Sequence, residues 1–412
     1  MRAGVDGNLH PPPIMAQPLD GVLVLDFTRV LSGPYCTMQL ADLGARVIKI
    51  EQPGRGDDTR AWGPPFVDGE SAYFLSINRN KESLALDLKH AGAQRIVSAL
   101  LDRADVLVEN FRPGTMARFG LDYATVARRH PRLVYCSISG FGQTGPRRAE
   151  AGYDAMMQAE GGLMSITGAA DGPPFRLGVA IADIATGLFA AQGVLAAIHA
   201  RERTGCGQYV DVGMLDSVAA LLTYQAASAF ATGGTPSRMG NRHPSIAPYD
   251  TFSSADGEFV LSVGNDEQFR RLCDVLGRSA LAAEARFSSN AARVSNYDAL
   301  RPVLLDAFGR WRRDALLRAL TDAGIPCGAV RSVPEALADP QLAARDMIVE
   351  LPHATAGNVR VLGNPIKMSA TPPHVTQAPP TLGQHTRSIL RDDVGLNDQE
   401  IQSLFEAAAI HL

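Results

Sequence analysis

Gly21-Val-Leu-Val-Leu-Asp-Phe-Thr-Arg-Val-Leu-Ser-Gly-Pro-Tyr-Cys-Thr-Met-Gln-Leu-Ala-Asp-Leu-Gly-Ala-Arg-Val-Ile-Lys-Ile-Glu51 is the stretch that decides the fold. Its opening, Gly21–Phe27, is a short apolar run of strand type. Ser32-Gly33-Pro34 then opens a helix, because Ser is a favoured N-cap and proline is favoured at the first helical positions. The helix runs to about Leu43 and stops at Gly44, a residue suited to the left-handed position after a helix. Arg46–Glu51 is the next strand. Strand, helix and strand in this order make a βαβ unit, which implies parallel strands and a right-handed crossover.

The pattern continues outward. Ser83–Leu88 reads as a strand and Gly92–Leu101 as a helix, with further strands at Asp105–Glu109 and Leu133–Ile138. This alternation predicts an α/β fold with a doubly wound, Rossmann-like parallel sheet. No G-x-G-x-x-G follows the first strand, so a nucleotide-like ligand must bind in another way. After Met214 an alanine-rich helical stretch leads to the loop Thr232–Pro244. Tyr249–Ser253 and Phe259–Val263 flank Ala255-Asp-Gly257, a hairpin signal. The expected organisation is a disordered leader over 1–17, a large domain beginning over 18–215 and a smaller α+β domain over 225–335. A C-terminal segment over 340–412, rich in Pro and Gly and ending in a helix near 397–408, returns to the large domain.

Bulk composition narrows the function classes. A chain of 412 residues suggests two domains, and 46% hydrophobic with 20% charged residues is a globular balance. A net charge of -4 argues against a general nucleic-acid binder, while leaving room for a local basic patch. The five cysteines stand singly with no C-x-x-C pair, which fits thiols in a reducing cytoplasm. The nine histidines form no H-E-x-x-H, so no metal site is expected. No apolar run reaches the roughly 18 residues of a membrane span. The proline-rich start lacks a secretory core, and Met15 is an alternative start.

One carboxylate stands out. Arg176-Leu-Gly-Val-Ala-Ile-Ala-Asp183-Ile-Ala-Thr-Gly187 places Asp183 in an apolar, small-residue run ahead of an alanine-dense helix that reaches His199. A charge there is expensive unless it is solvated, paired or used. Gly178, Ala180, Ala182 and Ala185 would let a bulky ligand approach the backbone. Taken alone, an N-cap is the plainer reading of Asp183.

Other segments reverse that preference. Pro18–Thr28, Gly33-Pro34, Leu43–Glu51, Gly56-Asp-Asp-Thr-Arg60, Asn78-Arg-Asn-Lys81 and Val108–Gly114 form one half of a pattern. Gly140–Pro146, Gly152-Tyr-Asp154, Thr204–Gln208, Gly324–Gly328 and Leu382–Thr386 complete it. In order and spacing the chain resembles the class III CoA-transferases, the CaiB/BaiF family. Within them it is most similar to the succinate–hydroxymethylglutarate (glutarate) CoA-transferases, through Gly56–Phe66, Arg176–Ala180 and Ser245–Tyr249.

The resemblance implies that Asp183 is a nucleophile. It would attack a donor thioester to give a mixed anhydride and CoA thiolate, and the thiolate would then leave an aspartyl-CoA thioester. An acceptor acid would reverse the steps. Covalent catalysis of this kind divides one hard exchange into easier ones. CoA would be contacted at Val30, Leu86, Lys89, Asn110, Phe111, Arg118 and Tyr153. Gln52 and Ala151 depart from an Arg and a Lys in one branch of the family. The implied partners are an acyl-CoA, with succinyl-CoA as donor, and a small dicarboxylic acid such as glutarate or itaconate. CoA is a substrate here, with no permanently bound cofactor. Arg29, Arg176, Arg242 and His243 are candidates for the distal carboxylate, the last two in a Gly240–His243 loop. The family also implies an interlocked homodimer, with neither nucleic acid nor membrane as partner.

Three alternatives stay open at this point: a 2-methylacyl-CoA racemase, a formyl-CoA:oxalate-type CoA-transferase, and a non-catalytic CoA-binding protein. The racemase branch carries a His base where this chain has Tyr153. An unperturbed Tyr ionises near pH ~10, which makes it a poor base at neutrality. His385, in Gly383-Gln-His385, reads as structural.

Overall fold

The computed structural model describes residues 17–412. The leader expected over 1–17 therefore lies, Gln17 apart, outside the described residues. The chain divides into two compact units. One takes the described residues up to Gly162, with Gly178–Thr223 and Pro340–Leu412; the other takes Leu163–Leu177 and Tyr224–Asp339. The sequence reading assigned 163–177 to the large domain, and hydrogen bonds explain the difference. Gly168 O accepts from Gly240 N–H at 2.9 Å, and Arg238 donates to the carbonyls of Ala169 and Gly172. Arg176 moves with this segment into the second unit.

The first unit is a mixed α/β fold on a seven-stranded sheet. Its strands are β1 (Leu23–Asp26), β2 (Arg46–Glu51), β3 (Lys81–Leu86), β4 (Val106–Glu109), β5 (Val134–Ser139), β6 (Tyr209–Gly213) and β7 (Ile410–His411). The spatial order is β7-β3-β2-β1-β4-β5-β6. All pairs are parallel except β7 against β3. The order reverses at β1, and doubly wound sheets bind ligands beyond the carboxyl ends of the strands at that reversal. Leu23 pairs with Arg46, and Val24 with Val106, so β1, β2 and β4 end side by side.

Both faces of this sheet are covered, which is why its strands are near-continuous buried runs. Helices α1 (Ser32–Asp42) and α4 (Ile181–Thr204) cover one face, over a core that includes Val24, Val47, Val108 and Cys136. The helices Ala93–Leu101, Thr386–Asp392 and Asp398–Glu406 cover the other, over Leu25, Ile48, Leu84 and Leu107. Two further short helices matter below: α2 (Ala72–Ile77) and α3 (Asp154–Glu160).

Alanine density makes α4. Its 24 residues and mean hydropathy of 1.7 give it the length and apolarity to cross a membrane, against the expectation that no stretch would. Its packing on α1 and its buried Asp183, Thr186 and Arg201 mark it as a core helix. A Cβ at Gly187 would stand 2.6 Å from Ser32 O, so this glycine lets α4 close on the start of α1.

The second unit is α+β. Tyr249–Ser253, Glu258–Ser262 and Cys327–Ala329 form an antiparallel sheet, with Asp256-Gly257 at the hairpin turn. Phe308 meets Phe252 and Phe259 edge-on at 5.1 Å in its core. In the tail, where loops and one helix were expected, Ile348–His353 and Gly357–Leu362 pair as a hairpin and β7 completes the sheet.

The loop after β1 rests on buried charge. Lys81 Nζ reaches Asp26 Oδ2 at 3.1 Å, and Lys49 Nζ reaches Asp57 at 2.8 Å, all four side chains fully buried. Lys49 also donates to Thr28 O at 2.8 Å. Burial works against the Asp26 anion, but Lys81, Lys49 and the hydroxyls of Thr28 and Thr37 outweigh it and bring its pKa down to about 2. Burial pulls Lys81 down to about 8 against the pull of Asp26.

Replacing one partner would strand a buried charge. Lys81→Met is expected to lower the unfolding free energy by ~3 kcal/mol or more, measured by urea denaturation. A loss below ~1 kcal/mol would show that Asp26 finds another partner.

Candidate active site

The β1–α1 connection is wound tightly. Val30 has φ of 69°, a left-handed conformation that is costly for a β-branched residue. Its surroundings hold it there. Val30 N–H donates to Asp57 Oδ1 at 3.2 Å. At the carboxyl end of β4, Asn110 Oδ1 accepts from Arg29 N–H at 2.9 Å, and its amide donates to Arg29 O at 2.7 Å. Asn110 therefore clamps the loop from the neighbouring strand.

The clamp opens onto a cavity of about 240 Å³ lined by Arg29, Val30, Asn110, Phe111, Tyr153 and Asp183, among others. Tyr153 is 62% exposed. Gly140 and Gly152 touch backbone to backbone along the same wall: a Cβ on Gly152 would lie 2.5 Å from Gly140 Cα. A second cavity of about 220 Å³ shares Arg29, Asp58 and Phe111 with the first and adds Gln52, Leu86 and Lys89. A third groove shares Lys89 with the second and reaches Arg118. One continuous run of residues thus links Asp183 to Lys89 and Arg118.

Asp183 lies in the first turn of α4 and is 9% exposed. It is not a cap; the N-cap is Ala180, without a side-chain bond. Ser32 is not a cap either, since α1 starts at Ser32 behind Leu31. Ser32 instead lines the same cavity as Asp183. Asp183 so stands near the start of α1, whose first N–H groups are unused and whose dipole favours an anion. Burial, and next the nearby Asp154, push Asp183 up to about 6 against the favourable effect of Ser32.

Three residues join the site that sequence reasoning did not single out. Tyr73 on α2 is raised to about 12 by burial and then by Asp183 and Asp154, which places its phenol within their field. Asp154 accepts from Ala182 N–H at 2.9 Å. Glu109, raised to about 7 by burial, accepts from Phe111 N–H at 2.9 Å and so holds the turn after Asn110. Tyr73 carried no motif signal. Asp154 was legible only as the residue after Tyr153.

The four candidate cations separate. Arg29 lines the cavity of Asp183; its side chain is 51% exposed, and it contacts Asp58 at 3.3 Å. Arg176, Arg242 and His243 belong to the second unit. Arg242 lies over the Tyr297 ring at 4.3 Å and donates to Val294 O at 3.0 Å. His243 stacks on Tyr249 at 5.3 Å and accepts from Ser245 N–H. Both are engaged by their own unit's packing. Arg176 is exposed and donates to Leu177 O. His385 accepts from Ser83 N–H at 3.2 Å, a structural contact.

Residues 19–386 match the model of CoA-transferase family III. A succinyl-CoA:glutarate CoA-transferase of Mus musculus is 42% identical, covering 96% of this chain and 90% of that protein. An acetyl-CoA:oxalate CoA-transferase of Acetobacter aceti is 45% identical, covering 91% of this chain and 95% of that protein. The crystal structure of a CAIB/BAIF family protein from Brucella suis superposes with a TM-score of 0.83. It is 42% identical, covering 92% of this chain and 100% of that one.

The raised pKa of Asp183 has a stability consequence. The folded state holds its proton more tightly than the unfolded chain, so this group's contribution is present at low pH and lost as pH rises from ~4 through about 6. Asp183→Asn is therefore expected to raise the melting temperature at pH 7.5, by the equivalent of up to ~2–3 kcal/mol, and to lose that advantage at pH 4. Thermal unfolding at both pH values checks it. Gly187→Ala, which crowds Ser32, is expected to destabilise at both.

Proposed function

The chain belongs to CoA-transferase family III, and on that premise we propose that it moves CoA from succinyl-CoA to a small dicarboxylic acid, glutarate or itaconate, through covalent intermediates on Asp183. That it is an enzyme, a class III CoA-transferase, follows from the family and from its CoA-transferase relatives. The observation that carries the proposal is the nearly buried Asp183 carboxylate, in a cavity it shares with Ser32, Arg29, Asn110, Phe111 and Tyr153.

In the proposed reaction an Asp183 oxygen attacks the thioester carbonyl carbon of succinyl-CoA. The C–S bond breaks, giving an aspartyl–succinyl anhydride and CoA thiolate. The thiolate attacks Asp183 Cγ and expels succinate, leaving the aspartyl-CoA thioester. The acceptor carboxylate then attacks the same Cγ, expels thiolate and forms a new anhydride. Attack of the thiolate on the acceptor's acyl carbon releases Asp183 and the product thioester. No net proton is gained or lost. Each attack on Cγ puts negative charge on an Asp183 oxygen, and Ser32, which lines the same cavity, is the candidate donor for it. A carboxylate near 6 is ionised at neutral pH yet more basic than an ordinary Asp, which suits a nucleophile.

Val30, Asn110, Phe111 and Tyr153 would meet the thioester end of CoA, and Leu86, Lys89 and Arg118 the nucleotide end. The support is that they line a connected series of cavities. Arg29 is the candidate we favour for the distal carboxylate, because it shares Asp183's cavity. The proposal also holds the enzyme to be a cytoplasmic, interlocked homodimer. Oxalate, the acceptor named for the Acetobacter aceti relative, is the alternative that the acid panel distinguishes.

A panel of acids with succinyl-CoA, read by mass spectrometry of the CoA products, tests the substrate class. Glutarate or itaconate as best acceptor supports it, and oxalate as best acceptor selects the second reading. Asp183→Asn should lose turnover by ~1,000-fold or more. Near-normal turnover in that variant, or washout of an α-proton into deuterated water without CoA exchange, would remove the mechanism. In the wild type, kcat/KM should fall as pH drops through about 6, because Asp183 becomes protonated. Arg29→Ala should raise KM for a dicarboxylate ~10-fold or more over that for a monocarboxylate of equal length. An unchanged ratio would return the role to Arg176, Arg242 or His243. Light scattering at the monomer mass would exclude the dimer.

A further inference from the structure

Asp154 begins α3 directly after Tyr153, but it is not among the residues that line the cavity. Both of its oxygens are used. Oδ1 accepts from Ala182 N–H at 2.9 Å, and Oδ2 accepts from Gln158 Nε2 at 2.8 Å. Ala182 is the residue before Asp183, in the first turn of a helix whose own N-cap, Ala180, supplies no side-chain bond. That turn has unused N–H groups by construction. One of them is met by a side chain from another helix.

We propose that Asp154 is a positioning residue for the transfer reaction, fixing the first turn of α4 from outside while standing as a second carboxylate beside Asp183. The proposal rests on Asp183 being the nucleophile. Other charges also stand around Asp183. Its cavity is lined by Arg112, by Asp58, which is paired with Arg29 and Arg55, and by Glu150, which is paired with Arg147. α1 brings Ser32 to the same cavity, and its Asp42 is paired with Arg79. α2 brings Tyr73, and the β1–α1 loop brings Arg29. α3 also carries Glu160, paired with Arg147. The helix Met214–Leu221 carries Asp216, and β6 carries Asp211, which accepts from Gln143 N–H. After burial, Asp154 is the group that most opposes ionisation of Asp183. A nucleophile set between the start of α1 and a like charge is oriented without being fully stabilised as an anion.

The test separates the bond from the charge. Asp154→Asn keeps an oxygen for Ala182 N–H but removes the charge; Asp154→Ala removes both. In the Asn variant the acid limb of kcat/KM should move at least half a pH unit lower, with kcat within about fivefold of wild type. The Ala variant should lose kcat at least tenfold further. A readout independent of turnover is carbodiimide labelling of Asp183 against pH, located by peptide mass spectrometry. Its rise on acidification should move lower in the Asn variant by the same interval. An unmoved labelling curve and acid limb in a folded Asn variant would overturn the proposal. Should Asp154→Asn fail to fold, Asp154→Glu keeps the charge but displaces the oxygen. It should keep the wild-type acid limb with reduced kcat, and a wild-type kcat would overturn the proposal. Were the wild type to transfer no CoA, the mechanism would fall while the labelling curves still decided the Asp154–Asp183 relation.

Discussion

The site depends on a buried pair of ion pairs, Lys81 with Asp26 and Lys49 with Asp57. Charges without solvent are weak sources of net stability, but removing one partner is severe. What this network provides is placement. Asp26 receives Thr28, Lys49 holds the Thr28 carbonyl, and Asp57 receives Val30. The chain between β1 and α1 is thereby pinned through a conformation that Val30 would not choose. Glu51 and Arg60 add a third pair beside it, at 2.7 Å. Strand ends, loop and cavity wall are parts of one electrostatic object.

Beyond that object the site is built from helix ends. Asp154 on α3 meets an N–H in the first turn of α4, and Asp183 on α4 lines one cavity with Ser32 at the start of α1. Each helix start has a carboxylate from another helix near it, and the second of those carboxylates faces a cavity. Gly187 makes this arrangement possible by its closeness to Ser32. The same arrangement explains why two neighbouring acids differ in role. Both oxygens of Asp154 are engaged by donors that orient it, while Asp183 keeps a cavity on one side.

The sheet was legible because periodicity and cap chemistry agree at Gly21–Glu51, with Gly44 in the left-handed conformation expected of it. The strand Tyr209–Gly213 was not, since its exposure does not alternate and it pairs with β5, a strand distant in sequence. The hairpin at 348–362 was not either: its exposure alternates, but it lies in a tail whose Pro and Gly content reads as loop. In the site, Asp183 was visible as a charge out of place. Its partners were not. Ser32 looks like an ordinary cap, and only the approach of two helices sets it in one cavity with a carboxylate. Tyr73 and Glu109 matter through burial and field, which no local pattern encodes. Arg242 was attractive by composition, but a carbonyl and an aromatic ring in its own unit take it up.

The first unit is discontinuous, and its sheet is not finished until residues 410–411 pair with β3. Asp393 also ties Arg46 of β2 at 2.7 Å. A ribosome making this chain releases β1 to β5 long before the strand that covers β3 and the helix that carries Asp393. Through that interval the emerging sheet has an open edge, the kind of surface on which strands of other chains can add. A sequence-interrupted unit therefore leaves that edge of the sheet uncovered during biosynthesis until translation has passed the tail.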